Sequence, residues 1–412
     1  AAVTCVSMAA CGSGSDTNAD GKVEITMWHN STTGDGKAYW ESAAKAFEKE
    51  NPNVTIKIEA IQNEDMDGKL QTALQDPNSA PDIFMARGGQ KLRDVVEAGQ
   101  AMDLTDKISD TVKNQMATAE ATGTIDGKIY SVQQSVLPGG IWYSKDLFEK
   151  AGITETPKTW DEFIDTLQKI KDAGEQPLLM TYKDAWTANA PWNSIAADLA
   201  PESFADDRKA GKTTFVGTHE EITEKYLTLL DYAQDDYMGL SYDDGNKKFA
   251  NGDAVMIING NWAISQYRNA NPDVKINMFA IPSSNDESQN KVTSGVDVLL
   301  GVSKSSSNVD AAKDFVSFMM EKENVQTYID EQFSFSALKG VEQSDEAVSG
   351  VQEDISNGKV ANFEDHYYPS GFNMSVLLTE LSLNRANGMD DKENIEQFLK
   401  QCDEKYDVAN VD

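Results

Sequence analysis

The 412-residue chain carries 36 Lys and Arg against 68 Asp and Glu, a net charge of −32, with 40% hydrophobic residues, 3 His and 3 Cys. That length and apolar content suffice for about two or three domains with real cores, and the acidic excess excludes nucleic acid and anionic membrane surfaces, which are bound through clustered Lys and Arg. No CxxC occurs and His29, His219 and His366 are far apart, so no zinc or iron–sulfur ligand set and no cofactor are expected; a carboxylate-only calcium site stays open.

In chain order, Ala1 to Gly12 reads AAVTCVSMAACG, uncharged and small. Met8-Ala9-Ala10-Cys11 resembles the cleavage site of a Gram-positive bacterial lipoprotein, with Met8 where that pattern usually has Leu. The expectation is a signal-peptide remnant over 1–10, Cys11 as the lipidated first residue, and a flexible tether over 11–22, whose Gly12–Gly21 stretch offers nothing apolar to bury. Cys402 shares a helical stripe with Ile395, Phe398 and Leu399 and reads as a buried small hydrophobe.

Val23, Ile25 and Met27 alternate as a strand; Trp40, Ala43, Ala44 and Phe47 then share one helix face that stops at Asn51-Pro52, and Val54, Ile56 and Ile58 alternate again. Strand, helix, strand is the signature of a parallel sheet. A helix with Met66, Leu70 and Leu74 leads to a strand at Asp82–Met85, and a second α/β region begins with Ile141-Trp142-Tyr143. There Thr159 caps a helix carrying Trp160, Phe163, Leu167 and Ile170, and strands follow at Leu178–Tyr182, Ala254–Ile258, Ile276–Ile281 and Val296–Val302. A helix from Trp262 to Arg268 and a helical tail from Met374 complete the order, an α/β chain of two lobes without a short repeat.

Three blocks in that order carry a family resemblance: PDIFMARGG from Pro81, LPGGIWYSKDLFEKAGITETPKTW from Leu137, and FANGDAVMIINGNW from Phe249. They resemble the extracytoplasmic solute-binding proteins of ATP-driven importers, in the sugar- and oligosaccharide-binding, maltose-binding-protein-like branch. The resemblance implies a periplasmic-binding-protein-like fold, two α/β lobes with a ligand cleft between them and crossover hinge strands. It divides the chain into lobe 1, 23–134 and 292–332, and lobe 2, 135–291 and 333–412. It implies an oligosaccharide ligand, permease subunits of an ABC importer as partners, and a monomer held outside the cell membrane by its lipid. Closure follows physically, because a ligand touching both lobes makes more contacts in the closed form.

A sugar needs aromatic rings for its C–H faces and planar polar groups for its hydroxyls. Trp28-His29-Asn30, at the C-terminal edge of the first strand, meets that description. The resemblance places Trp262, with Asn261 before it, where the family stacks an aromatic on a sugar ring. One of Trp186 and Trp192 should face the cleft; Asp184 and Asn189 beside Trp186 favour it. Trp40, Trp160 and Trp142 read as core. Polar candidates at segment ends are Arg87, Gln134 and Asp297; Asp365 and His366 sit in an aromatic-rich loop, and Phe335 could line the cleft from a crossover segment.

A secreted glycoside hydrolase is the rival from another class, but no GxSxG or HExxH occurs, and among so many acids a carboxylate pair carries no weight. A binder of peptides or charged solutes would need a fixed charged anchor, for which Arg87 is the obvious residue. Trp-rich loops favour a non-catalytic oligosaccharide binder, leaning to short galacto- or gluco-oligosaccharides.

Overall fold

The computed structural model describes residues 21–31, 34–108, 122–295 and 298–410. Cys11, nearly all of the tether expected over 11–22, and Asp297 lie outside the described residues.

Alternation turns Ile25 and Met27 of β1 (Val23–His29) inward, and the helix Gly34–Glu50 lays Tyr39, Trp40, Ala43, Ala44 and Phe47 on the same core. β2 (Val54–Ala60) and β3 (Ile83–Arg87) flank β1 in parallel, with Val23 opposite Val54 and Met27 opposite Ile83. β4 (Thr122–Ile125) and β5 (Lys128–Val132) make a hairpin whose turn residues Asp126 and Gly127 have φ of 51° and 77°, as a tight hairpin with right-handed strand twist requires.

The remaining strands are β6 (Ser135–Ser144), β7 (Leu178–Leu179), β8 (Met256–Gly260), β9 (Ile276–Phe279), β10 (Val292–Gly295), β11 (Val298–Val302), β12 (Phe335–Ser336) and β13 (Val360–Ala361). They complete a 6-stranded sheet in the order β2-β1-β3-β11-β5-β4 and a 7-stranded sheet running β13-β10-β6-β8-β7, with β9 and β12 also paired to β6. Each sheet has helices and an apolar core of its own, so the chain forms two α/β lobes. It crosses between them at Gln133–Gln134, between β10 and β11, and at Phe333–Ser334.

Local departures from the expected elements have physical causes. β10 pairs with β6, so Val292–Gly295 belongs with the second sheet, and the crossover falls after Gly295 rather than at 292. The strand expected over Leu178–Tyr182 ends at Leu179, because the Gln234 side chain accepts from Met180 N and donates to Met180 O, replacing a neighbouring strand. The stretch around Trp192 is the helix Asn189–Leu199. Trp192 is fully buried on it, with its ring 5.8 Å from that of His219 and stacked on it. Thr159 caps the helix Trp160–Asp172 by accepting from Glu162 N. Cys402 is buried in the C-terminal helix Asp391–Ala409, where desolvation pushes its thiol pKa up.

Candidate ligand-binding site

Between the lobes lies a cleft of about 430 Å³, floored by the crossover residues Gln133, Gln134 and Ser135. One wall is aromatic. Trp186, in a short 3-10 turn at Ala185–Ala188, lies 4.9 Å from the ring of Tyr242, and Trp262 stands beside them at the end of β8. The Tyr242 backbone N–H donates to Asp184 over 2.6 Å, tying the turn that carries Trp186 to the helix Tyr242–Ala250. Burial raises the Tyr242 hydroxyl to about 12, while hydrogen bonds with Asn246, Asn259 and Trp262 act the other way. The phenol therefore stays neutral at physiological pH.

Trp262, Ser265, Gln266 and Asn269 follow one another at i, i+3, i+4 and i+7 and all line the cleft. Ile264 and Tyr267 on the opposite side of the same segment are buried. This gives one face of ring and amide groups pointing at the ligand space. Lobe 1 answers with Asn30 and Ser31 after β1, Arg87 at the end of β3, Trp40, and Tyr328 from the helix Lys322–Gln332. The Trp40 and Tyr328 rings are 6.0 Å apart, so aromatic surface faces the cleft from both lobes.

Polar groups on the floor and sides divide into engaged and unengaged. Gln134 donates from Nε2 to the carbonyl of Met319 over 2.6 Å and meets the Tyr39 hydroxyl, so its amide braces the lobe 1 side of the crossover. The Asp365 carboxylate accepts from Asn189 Nδ2 at 3.1 Å and from Asn193 Nδ2 at 2.9 Å, and Asn193 Oδ1 accepts in turn from Asp365 N. Gln133 Nε2, Gln332 Nε2 and Asn189 Oδ1, by contrast, are buried at the cleft without a hydrogen-bond partner. Buried polar atoms are normally paired, so these are positioned for the hydroxyls of a ligand.

Of the residues expected from sequence, Asn30, Arg87, Gln134, Trp186, Trp262, Asp365 and His366 line the cleft. Four described ones do not. Trp28 belongs to β1 itself and packs on the core of Leu70, Leu74 and Phe84, because its side of the strand faces the helix layer. His29 is fully buried beneath the cleft, its ring 6.1 Å from that of Trp40 and its Nε2 without a partner. Asn261 is buried and donates from Nδ2 to Phe333 O over 3.1 Å, holding a crossover in place of a ligand. Phe335 is buried among Trp142, Val348 and Val351.

Sequence reasoning missed Tyr242, Tyr328, Phe363, Asn193, Gln332 and the Ser265-Gln266-Asn269 face, and it assigned Trp40 to the core alone. The polar spacing after Trp262 was a usable signal; Tyr328 and Gln332 had none, since their side of the helix is chosen by packing between distant segments. Among the described residues lining the cleft, Asp365 is the one carboxylate. No group of three or more His, Cys, Asp or Glu among the described residues could hold a metal ion, and no described helix is long and apolar enough to cross a membrane.

A family model described as "Bacterial extracellular solute-binding protein" matches residues 30–326. The multiple sugar-binding protein of Streptococcus mutans is 26% identical over 381 residues, covering 89% of this chain and 86% of that protein. The melibiose/raffinose/stachyose-binding protein MelE of Bacillus subtilis is 22% identical over 367 residues, covering 85% and 82%. Among solved structures, a chitin oligosaccharide binding protein superposes with a TM-score of 0.81 at 23% identity, covering 94% of this chain and 99% of that one. RafE in complex with raffinose gives 0.80 at 24%, covering 93% and 100%.

Proposed function

The chain belongs to the bacterial extracellular solute-binding protein family, and on that premise we propose that its cleft captures a short neutral oligosaccharide and presents it to the permease subunits of an ABC importer. The observation that carries this reading is the Trp186–Tyr242–Trp262 wall facing Trp40 and Tyr328 across a space edged by unpaired amides. Rings take the C–H faces of a sugar and amides its hydroxyls, without any fixed charge at the centre. Of the charged groups, Asp365 is already held by two amides and Arg87 ion-pairs with Asp67 at 3.4 Å, so neither has the isolated character of an anchor for a charged solute.

The ligand-contact set proposed is Asn30, Arg87, Gln134, Trp186, Trp262, Asp365 and His366, with Trp40, Tyr242, Tyr328 and Gln332 added. Galacto- and gluco-oligosaccharides are the first ligands to try; MelE and the multiple sugar-binding protein are named for sugars, which supports the class. The protein acts as a non-catalytic monomer on the outer face of the membrane, anchored through a lipid on Cys11. Calorimetric titration against an oligosaccharide panel, with product analysis of the same samples, tests this. Saturable binding without turnover is expected; hydrolysis would replace the binder with an enzyme, and silence toward every sugar would remove the carbohydrate ligand.

A further inference from the structure

The loop after β3 and the segment after β13 meet across the cleft at one end. Gly89 has a φ of 69° and approaches the His366 backbone so closely that a Cβ on it would lie 2.2 Å from the His366 carbonyl oxygen. No L-residue with a side chain could make this approach without strain or displacement. Beside it the helix Gln90–Glu97 of lobe 1 is clasped from lobe 2: Lys209 Nζ donates to Gln90 Oε1 over 3.2 Å, Gln90 Nε2 donates to Asp94 Oδ1 over 2.7 Å, and the Ser370 hydroxyl donates to Asp94 Oδ2. On the far side of this contact lies a separate cavity of about 370 Å³, and the residue common to its lining and that of the aromatic cleft is His366.

We propose that the Gly89–His366 contact, locked by the Lys209–Gln90–Asp94–Ser370 clasp, is a partition that makes the ligand chamber blind at its β3 end, so that the protein takes the terminus of a saccharide chain and rejects internal segments of a polymer. This rests on the carbohydrate reading above and narrows its substrate class. The physical ground is that the partition is main chain against main chain. A flexible side chain could swing aside for a longer ligand, whereas two backbones in contact, tied by side chains from both lobes, part only if the lobes do. The chamber's volume of about 430 Å³ holds a short chain.

The test uses the full chain with galacto-, malto-, xylo- and chito-oligosaccharides in three forms: unlabelled, carrying an aminobenzamide label on the reducing end, and carrying a benzylidene acetal on the non-reducing ring. Binding is followed by calorimetry. The expected result is that one terminal modification lowers affinity by at least about tenfold while the other is tolerated, and that soluble amylose and xylan compete no better than their few chain ends allow. Equal tolerance of both modifications, with unlabelled sugars binding normally, overturns the partition and leaves the carbohydrate reading intact. Absence of binding by every unlabelled sugar overturns both. Gly89→Ala, whose methyl group must push the backbones apart, is expected to restore binding of the excluded labelled series relative to the unlabelled one; a folded Gly89→Ala protein with unchanged discrimination counts against the partition.

Discussion

Gly260 and Trp262 compete for one space: a Cβ built on Gly260 would lie 2.0 Å from Cζ3 of the Trp262 ring. The ring lies flat against the end of β8, and the missing side chain two residues earlier sets its angle to the cleft. Gly260 also has a φ of −103°, which any residue adopts, so its requirement is for space and not for backbone freedom. Gly260→Ala should therefore act on the ligand through Trp262. We expect it to weaken oligosaccharide binding by roughly 1–3 kcal/mol, similar to Trp262→Ala, with circular dichroism unchanged. Normal calorimetric affinity in a folded Trp262→Ala protein would take the ring out of the site.

Asn193 grips Asp365 twice, donating from Nδ2 to its carboxylate at 2.9 Å and accepting from its backbone N–H at 3.3 Å. Asn193→Ala leaves both groups short of a partner and loosens the loop that also carries His366. A loss of about 1–2 kcal/mol in ligand affinity is expected, expressed mainly as faster dissociation. Stopped-flow fluorescence of the Trp-rich cleft measures it; an unchanged dissociation rate would mean that Asp365 is placed by other contacts.

The Asn261–Phe333 bond joins the end of β8 to a crossover whose Phe333 takes a left-handed φ of 53°. Phe333 is further held under Arg268, whose guanidinium lies 4.7 Å from the ring centre while pairing with Asp345 at 2.8 Å. Asn261→Ala should lower stability by about 1–2 kcal/mol and shift the open–closed equilibrium seen by small-angle scattering with and without sugar. A variant that melts and scatters like the parent would leave Asn261 without this role.

Two buried groups give opposite pH slopes. Burial, and secondarily the Lys37 charge, depresses His29 from 6.5 to about 4, so the unfolded chain takes up a proton that the folded one resists; this contribution is full above about 6.5 and falls as pH drops toward 4. Burial raises Asp198 from 3.8 to about 7 despite hydrogen bonds from Lys291 and Ser283, so its contribution is full below 3.8 and is lost as pH rises through 7. His29→Asn, which keeps an acceptor for the Ser31 N–H that His29 Nδ1 now binds at 3.2 Å, should flatten the loss of stability between 6.5 and 4. Asp198→Asn should melt a few degrees above the parent at alkaline pH and coincide with it near pH 4. Denaturation midpoints across that range decide both, and parallel curves for parent and variant would refute the assignment in question.

The strand–helix order of lobe 1, the Thr159 cap and the core face of the helix it starts could be read along the chain, because each depends on neighbours within a few residues. The cleft was legible at Trp262, Trp186, Arg87 and Asp365, where a ring or charge stands at a segment end. It was not legible at Trp28, which stands two residues before Asn30 but inside β1, where it packs on the core of Leu70, Leu74 and Phe84, while Asn30 beyond the strand end lines the cleft.

By itself the sequence determined the alternation that makes the sheets, the order that makes two α/β lobes, and the blocks that place the chain in its family. Only the tertiary structure decided which amides stay unpaired at the cleft, that Tyr328 and Tyr242 face one another's lobes across it, and that Gly89 meets His366. The reason is one of range. Local periodicity states that a side chain is on a given face, whereas what covers that face is set by segments hundreds of residues away, and a binding site is the part of that surface that distant packing leaves uncovered.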